Sequence, residues 1–153
     1  METSTRPIWS ARVLRVESQR APQFIDLTDD VVATVASSGV RNGQVVVFSR
    51  HTTAAIRINE HEPELLKDLE QLLHRLAPPE GQYFHNDLSV RTVNLTEDEC
   101  PNGHAHCQHL LLSTSEVIPI VDGELQLGRW QRIFMIELDR PRTREVVVQV
   151  HGV

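Results

Sequence analysis

The chain is short of the features that would take it out of the ordinary soluble class. It has only two cysteines, Cys100 and Cys107, too few for the disulfide framework of a small secreted domain, and both are expected as reduced thiols. No apolar run is long enough to span a bilayer. The opening residues, Met-Glu-Thr-Ser-Thr-Arg-Pro, lack the apolar core of a secretory signal, so a cytoplasmic location is expected. Basic charge is also in deficit, with 15 Lys and Arg against 21 Asp and Glu, a net charge of −6. General binding to nucleic acid or to an anionic membrane relies on basic surface and is set aside, while a local basic pocket for a phosphate is not. There is no internal repeat, low-complexity tract or domain boundary. The 153 residues suit a single domain, 1–153, large enough to bury a real core.

What is present reads as strands and helices in mixed order. Trp9 to Val16 alternates, with Trp9, Ala11 and Val13 read as one apolar face. A short strand over Phe24 to Leu27 is followed by a helix from about Asp30 to Ser37. Thr28 or Asp29 caps it, Val31, Val32 and Val35 form its apolar side, and Gly39 closes it. Gln44 to Phe48 is a continuous apolar run, as in a strand buried on both faces. Ser49-Arg50-His51-Thr52-Thr53 then interrupts core-like sequence before a strand from Ala54 to Ile58, and such a polar break is expected to open onto a pocket. A helix from Glu60 to Ala77 carries Pro63 in its first turn and a stripe of leucines from Leu65 to Leu76, with Pro78-Pro79 ending it. Periodicity is weak from Glu80 to Pro101, where Glu97-Asp98-Glu99 reads as a solvated loop. Asn102 is a natural N-cap for a helix reaching about Leu112. Ser115 to Ile120 runs extended into a turn at Asp122-Gly123, and Trp130 to Leu138 and Glu145 to Val150 read as further strands.

The chemistry rests on histidine. For any one of the eight the ordinary role is surface or structural, and His74, away from the leucine stripe, is read so. Three stand out by position: His51 in the polar break, His85 after Tyr83, and His106 on the short helix. Neutral imidazole is a common zinc ligand, and three protein ligands with an open position suit a catalytic metal. A rival tract, Cys100, His104, His106 and Cys107, lacks the paired spacing of structural zinc sites, and His104 and His106 face different sides of a helix. Thr52 and Thr53 offer hydroxyls, and Asn59 and Asn102 amides. Glu60 reads equally as a general base or as the start of a helix.

From Ser115 onward the order is Ser, two residues, Ile118, one residue, Ile120, two residues, Gly123, four residues, Gly128, then Trp130-Gln131 and Ile133. This resembles the signature of the YjbQ family, also called the secondary thiamine-phosphate synthase family. Arg129 stands where that pattern has threonine, and Ser113 where it commonly has glycine. The resemblance extends through His-Thr-Thr-Ala-Ala-Ile-Arg-Ile-Asn-Glu (51–60), Tyr-Phe-His (83–85) and Asn-Gly-His-Ala-His (102–106). It implies an α+β fold with packed or bifurcated, mainly antiparallel sheets, two or three helices and a homotrimeric assembly. It also implies that aminopyrimidine methyl diphosphate is joined to thiazole phosphate with release of pyrophosphate. His51, His85 and His106 match the recurring histidines of the pattern and become candidate catalytic and metal-binding groups, with Glu60. Thr52, Thr53, Asn59, Asn102, Ser115 and Arg129 become candidate substrate-binding residues for a small phosphorylated substrate. The cofactor expected is a divalent metal. Histidine suits zinc, whereas magnesium, which prefers oxygen, would come with the diphosphate. Two readings stand beside the transferase: a histidine-metal-dependent hydrolase or lyase, and a non-enzymatic small-anion binding protein.

Overall fold

The computed structural model describes residues 6–153, so residues 1–5 of the polar opening segment lie outside the described residues. In chain order the elements are β1 (Ile8–Glu17), β2 (Gln23–Asp26), α1 (Thr28–Ser38), β3 (Gly43–Ser49), β4 (Ala54–Glu60), α2 (Pro63–Leu76), a 3-10 turn (Phe84–Asn86), α3 (Gly103–Leu111), β5 (Ser115–Val121), β6 (Glu124–Leu125), β7 (Gln131–Glu137) and β8 (Thr143–Gly152). The strands form a five-stranded sheet, β1-β8-β3-β5-β6, and a three-stranded sheet, β2-β7-β4. Every pairing is antiparallel. The protein is an α+β domain, as expected.

Three layers follow from where the apolar residues point. Val45, Val47, Val146, Val148 and Ile118 of the large sheet meet Ile56, Ile133 and Met135 of the small one, and Val31 and Val35 of α1 complete that core. Phe134, Ile136 and Ala55 line the other face of the small sheet and meet Leu73 of α2 and Ala105 of α3. β7 is thus buried on both faces. The hairpin at Asp122-Gly123 has φ of 54° and 85°, the left-handed pair that a two-residue turn requires. Gly39 closes α1 in the left-handed region at φ 75°.

The structure departs from the sequence reading in how its faces are used. In β1 it is Leu14 and Val16 that are buried, while Trp9 and Val13 are exposed. β3 is buried on one face only, with Phe48 on the open side. The cause is shared: among the described residues no layer covers the outer face of the large sheet, which carries Trp9, Val13, Phe48, Val117 and Val121. Glu60 ends β4 instead of starting a helix, because Glu62 caps α2 by accepting from the backbone N–H groups of Glu64 and Leu65. Of the leucine stripe only Leu73 is fully buried, and Leu72 and Leu76 stay exposed.

Candidate functional site: a histidine pair at the start of α3

β4 begins where β7 ends, with Ala54 paired to Glu137 and Glu60 paired to Gln131. The polar break before β4 and the turn after β7 therefore share one end of the molecule, and the Leu138 N–H donates to the Thr53 carbonyl at 3.1 Å. The anchor of this end is a buried ion pair. Arg144 donates through Nε to Glu137 at 2.7 Å and through Nη2 to the Thr53 hydroxyl at 2.9 Å. Glu137 also accepts from the Ser18 hydroxyl and from the backbone N–H groups of Leu138 and Asp139. Burial pushes the Glu137 carboxyl up, but the hydrogen bonds from Arg144 and the backbone outweigh it and leave the group below its ordinary value.

α3 docks onto this end. His104 is held by the Leu138 backbone and His109 by the Ala54 backbone. Asn102, expected to cap α3, makes no capping bond. Its amide donates to Asp139 at 3.3 Å, and the Gly103 N–H is taken at 2.9 Å by Asn86, which the sequence reading did not single out. Gly103 is required here because a Cβ would lie 2.5 Å from Cβ of Tyr83. That close approach brings the 83–86 segment onto α3, and the rings of His85 and His106 meet edge to face with centroids 4.5 Å apart. Arg91 donates to the His85 carbonyl at 3.2 Å and is itself ion-paired with Glu99. Burial first, and then the neighbouring His85, push His106 below its ordinary value against the pull of Asp139, so this imidazole is neutral near pH 7. The Asn102 carbonyl oxygen, Oδ1, is buried without a hydrogen-bond partner.

His51 is close to a different set of groups. Its Nε2 accepts from the backbone N–H of Glu145 at 2.8 Å. A backbone N–H is always a donor, so the Nε2 lone pair is occupied and the neutral ring carries its proton on Nδ1. Burial and then the charge of Arg144 lower its pKa and keep it neutral. Metal-binding histidines have the opposite polarity, offering one lone pair to the ion and donating the other N–H. His51 in this arrangement is a hydrogen-bond donor and does not fit a metal ligand. Among the described residues no three His, Cys, Asp or Glu side chains are grouped to hold a metal ion.

The remaining candidates divide between the two ends of β4. Thr53 is buried and engaged by Arg144, while Thr52 is exposed beside it. Ser115 opens β5, and its N–H and carbonyl are both bound by the Ser113 hydroxyl. Glu60 and Arg129 lie at the far end, where they line an open cleft of about 420 Å³ with His61, Trp130 and Arg132, and Asn59 lies beside Glu60 at that end of β4. Arg129 stacks on the Trp130 ring at 4.6 Å. β4 is seven residues long, so about 20 Å of strand separates this cleft from the histidine end. Cys100 and Cys107 are free thiols, and Cys107 is exposed.

The chain is thus a three-layer α+β domain with a histidine pair where the 3-10 turn meets α3. The model of the family described as UPF0047 protein YjbQ-like matches residues 12–153. A UPF0047 protein of Methanothermobacter thermautotrophicus is 40% identical over 139 residues, covering 91% of this chain and 90% of the relative. One of Archaeoglobus fulgidus is 38% identical, covering 89% and 97%. Among solved structures, a YbjQ-like protein of unknown function from Sulfolobus solfataricus superposes with a TM-score of 0.87 at 32% identity, covering 97% of this chain and 100% of the other. A hypothetical protein of Aeropyrum pernix gives 0.83 at 36% identity, covering 94% and 99%. The chain belongs to the YjbQ family.

Proposed function

We propose that this protein is a thiamine-phosphate synthase-like transferase, cytoplasmic and homotrimeric, acting on small phosphorylated substrates. In the reaction, the ring nitrogen of the thiazole phosphate attacks the methylene carbon of aminopyrimidine methyl diphosphate. The carbon–oxygen bond breaks, and pyrophosphate leaves with the electron pair. The main demand is stabilisation of charge on the departing diphosphate. The observation that carries the reading is the polarity of His51: with Nε2 held by the Glu145 N–H, its Nδ1–H is a fixed donor. Fixed N–H donors suit phosphate oxygens, whereas the alternative of a hydrolase using metal-bound water needs three lone pairs turned inward. His85 and His106, neighbours at ring contact, form a separate imidazole pair that this reading assigns to the same substrate. The divalent cation of this reading is magnesium held by diphosphate oxygens rather than zinc caged by histidine, and it would neutralise the leaving group.

The test is growth of a thiamine-requiring strain carrying the gene, with formation of thiamine phosphate by the purified protein. Both should be lost on His51→Ala and on His85→Ala, with His74→Ala unaffected. Unchanged product formation by the folded His51 and His85 variants would remove these residues from the reaction. Metal-dependent turnover of simple phosphate or ester substrates, without thiamine phosphate, would favour the hydrolase. The exposed apolar face of the large sheet is compatible with contact between copies, and the proposed trimer is checked by light scattering, where a monomer is the contrary result.

A further inference from the structure

The open cleft at the far end of β4 has two walls of opposite chemistry. On one side the chain leaving β4 brings Glu60 and His61 to the cleft, with Pro63 starting α2 behind them. His61 is held from two directions. Its ring packs edge-on against Phe134 with centroids 5.4 Å apart, and its Nδ1 is 2.8 Å from Asp26. Burial pushes the Asp26 carboxyl up, but hydrogen bonds from Arg132, Thr28 and His61 outweigh it and hold the group well below the usual carboxylate range. An ionised carboxylate only accepts, so the His61 proton is on Nδ1. The neutral ring then keeps Nε2 as a lone pair, which has no protein partner among the described residues. Glu60 is likewise in no ion pair among the described residues. This wall offers acceptors.

The opposite wall offers donors. The turn before β7 is braced at both ends: the Gly128 N–H donates to the Gln131 side chain at 2.7 Å, and the Gln131 N–H donates to the Gly128 carbonyl at 2.9 Å. It presents Trp130, 61% exposed, with the Arg129 guanidinium over its ring. Arg129 is in no ion pair among the described residues. It stands where the YjbQ pattern has threonine, so the chemistry common to the family does not account for this cation. Arg132 donates to Asp26 through Nε at 2.8 Å and to Asp29 through Nη2 at 3.1 Å, and its Nη1 has no partner among the described residues. A ligand that satisfies both walls is flat, has adjacent N–H donors along one edge and carries an anion at its other end. We propose that the cleft binds a guanine nucleotide. Glu60 accepts from the ring N–H and the neighbouring amino group, His61 takes the second amino hydrogen, Trp130 stacks on the base and Arg129 holds the phosphate. The two oxygens of a carboxylate match the two adjacent donors of guanine, whereas adenine has an acceptor in place of one of them. Stacking on an aromatic ring with arginine nearby is a usual way to hold a base. The volume of about 420 Å³ is that of a small-ligand site. The length of β4 separates this cleft from His51, so the inference stands apart from the transferase reading.

Calorimetry on the wild-type protein with guanosine monophosphate, guanosine and inosine monophosphate tests it. Guanosine lacks the phosphate, and inosine monophosphate lacks the amino group. Each is expected to bind about ten- to a hundredfold more weakly than guanosine monophosphate, the effect of losing one charge-assisted contact. Two substitutions assign the contacts, with circular dichroism as the check on folding. Arg129→Thr should weaken guanosine monophosphate by a similar factor and leave guanosine unchanged. Glu60→Gln should abolish the preference for guanosine monophosphate over inosine monophosphate. Trp9→Phe leaves Trp130 as the only tryptophan, and its fluorescence should be quenched by guanosine monophosphate over the concentration range that calorimetry reads. Neither heat nor quenching at millimolar guanosine monophosphate overturns the proposal. Equal binding of guanosine and inosine monophosphates by the wild type, or an Arg129→Thr variant that loses guanosine and its monophosphate alike, overturns it as well.

Discussion

Substituting either member of the buried Glu137–Arg144 pair should destabilise the fold, and the two losses should differ in kind. The side chains are 0% and 2% exposed, so neither charge left alone can reach water. Breaking a buried pair from one side costs about 3–5 kcal/mol. For a domain of this size each kcal/mol lowers Tm by about 2–4 °C, so Glu137→Leu is expected to lose roughly 6–20 °C. Arg144→Met leaves a carboxyl that can escape by protonation, whereas Glu137→Leu leaves a guanidinium that cannot lose its proton. The pH dependence follows with a definite sign. In the wild type the Glu137 pKa is lowered below its ordinary 4.5, so its contribution is fully present above that value and lost as pH falls through the folded-state pKa. In Arg144→Met the folded pKa is raised instead. The deficit at pH 7 should therefore shrink toward pH 5, while that of Glu137→Leu should hold constant. The assay is urea unfolding at pH 7 and pH 5 on both single variants and the double. The double should cost less than the sum of the singles, although the Asp139 N–H loses its acceptor; Leu138 keeps the Thr53 carbonyl and Ser18 the Arg142 carbonyl. Strict additivity, or single losses under about 1 kcal/mol, would refute the argument.

Two further outcomes are expected. Gly103→Ala should push the Tyr83 segment off α3, because the new methyl would lie 2.5 Å from Tyr83 Cβ; the His106 pKa, read by NMR titration, should then rise toward 6.5, and an unchanged titration would contradict the packing. His51, His104, His106 and His109 all have pKa values lowered mainly by burial. Their stabilisation is present above the unfolded value near 6.5 and is lost as pH falls below it. His104→Gln should flatten the stability-versus-pH slope between pH 6.5 and 5 by up to about 1.4 kcal/mol per pH unit, and an unchanged slope would be the contrary result.

Strand and helix positions were largely legible in the sequence, because the Asp122-Gly123 turn, Gly39 and Pro63 each impose a local geometry that tertiary context did not override. Faces were less legible. β1 carries apolar groups on both sides, and alternation alone does not say which side meets the second sheet. The site was legible as residue types but not as an arrangement. His85 and His106 meet because Gly103 admits Tyr83 and because Asn86, not Asn102, caps α3. Neither fact has a periodic signal. Glu60 was a candidate general base beside the histidines, yet strand β4, running from Ala54 to Glu60, carries it to the end of that strand away from His51. His51 looked like a ligand by position, and only its bond to Glu145 reveals which nitrogen is spoken for.

The pairing of β1 with β8 has a consequence for synthesis. Glu17 and Thr143, joined by a side-chain hydrogen bond, are 126 residues apart, and β8 separates β1 from β3 in the sheet. During synthesis β1 precedes the other described strands, and β8, its strand neighbour among the described residues, is the last of them to appear. Throughout that interval its backbone edge and Trp9, Val13, Leu14 and Val16 are open to other nascent chains. Closing the large sheet is therefore a late, long-range event, and the folding rate should be governed by it rather than by the local hairpin of β5 and β6.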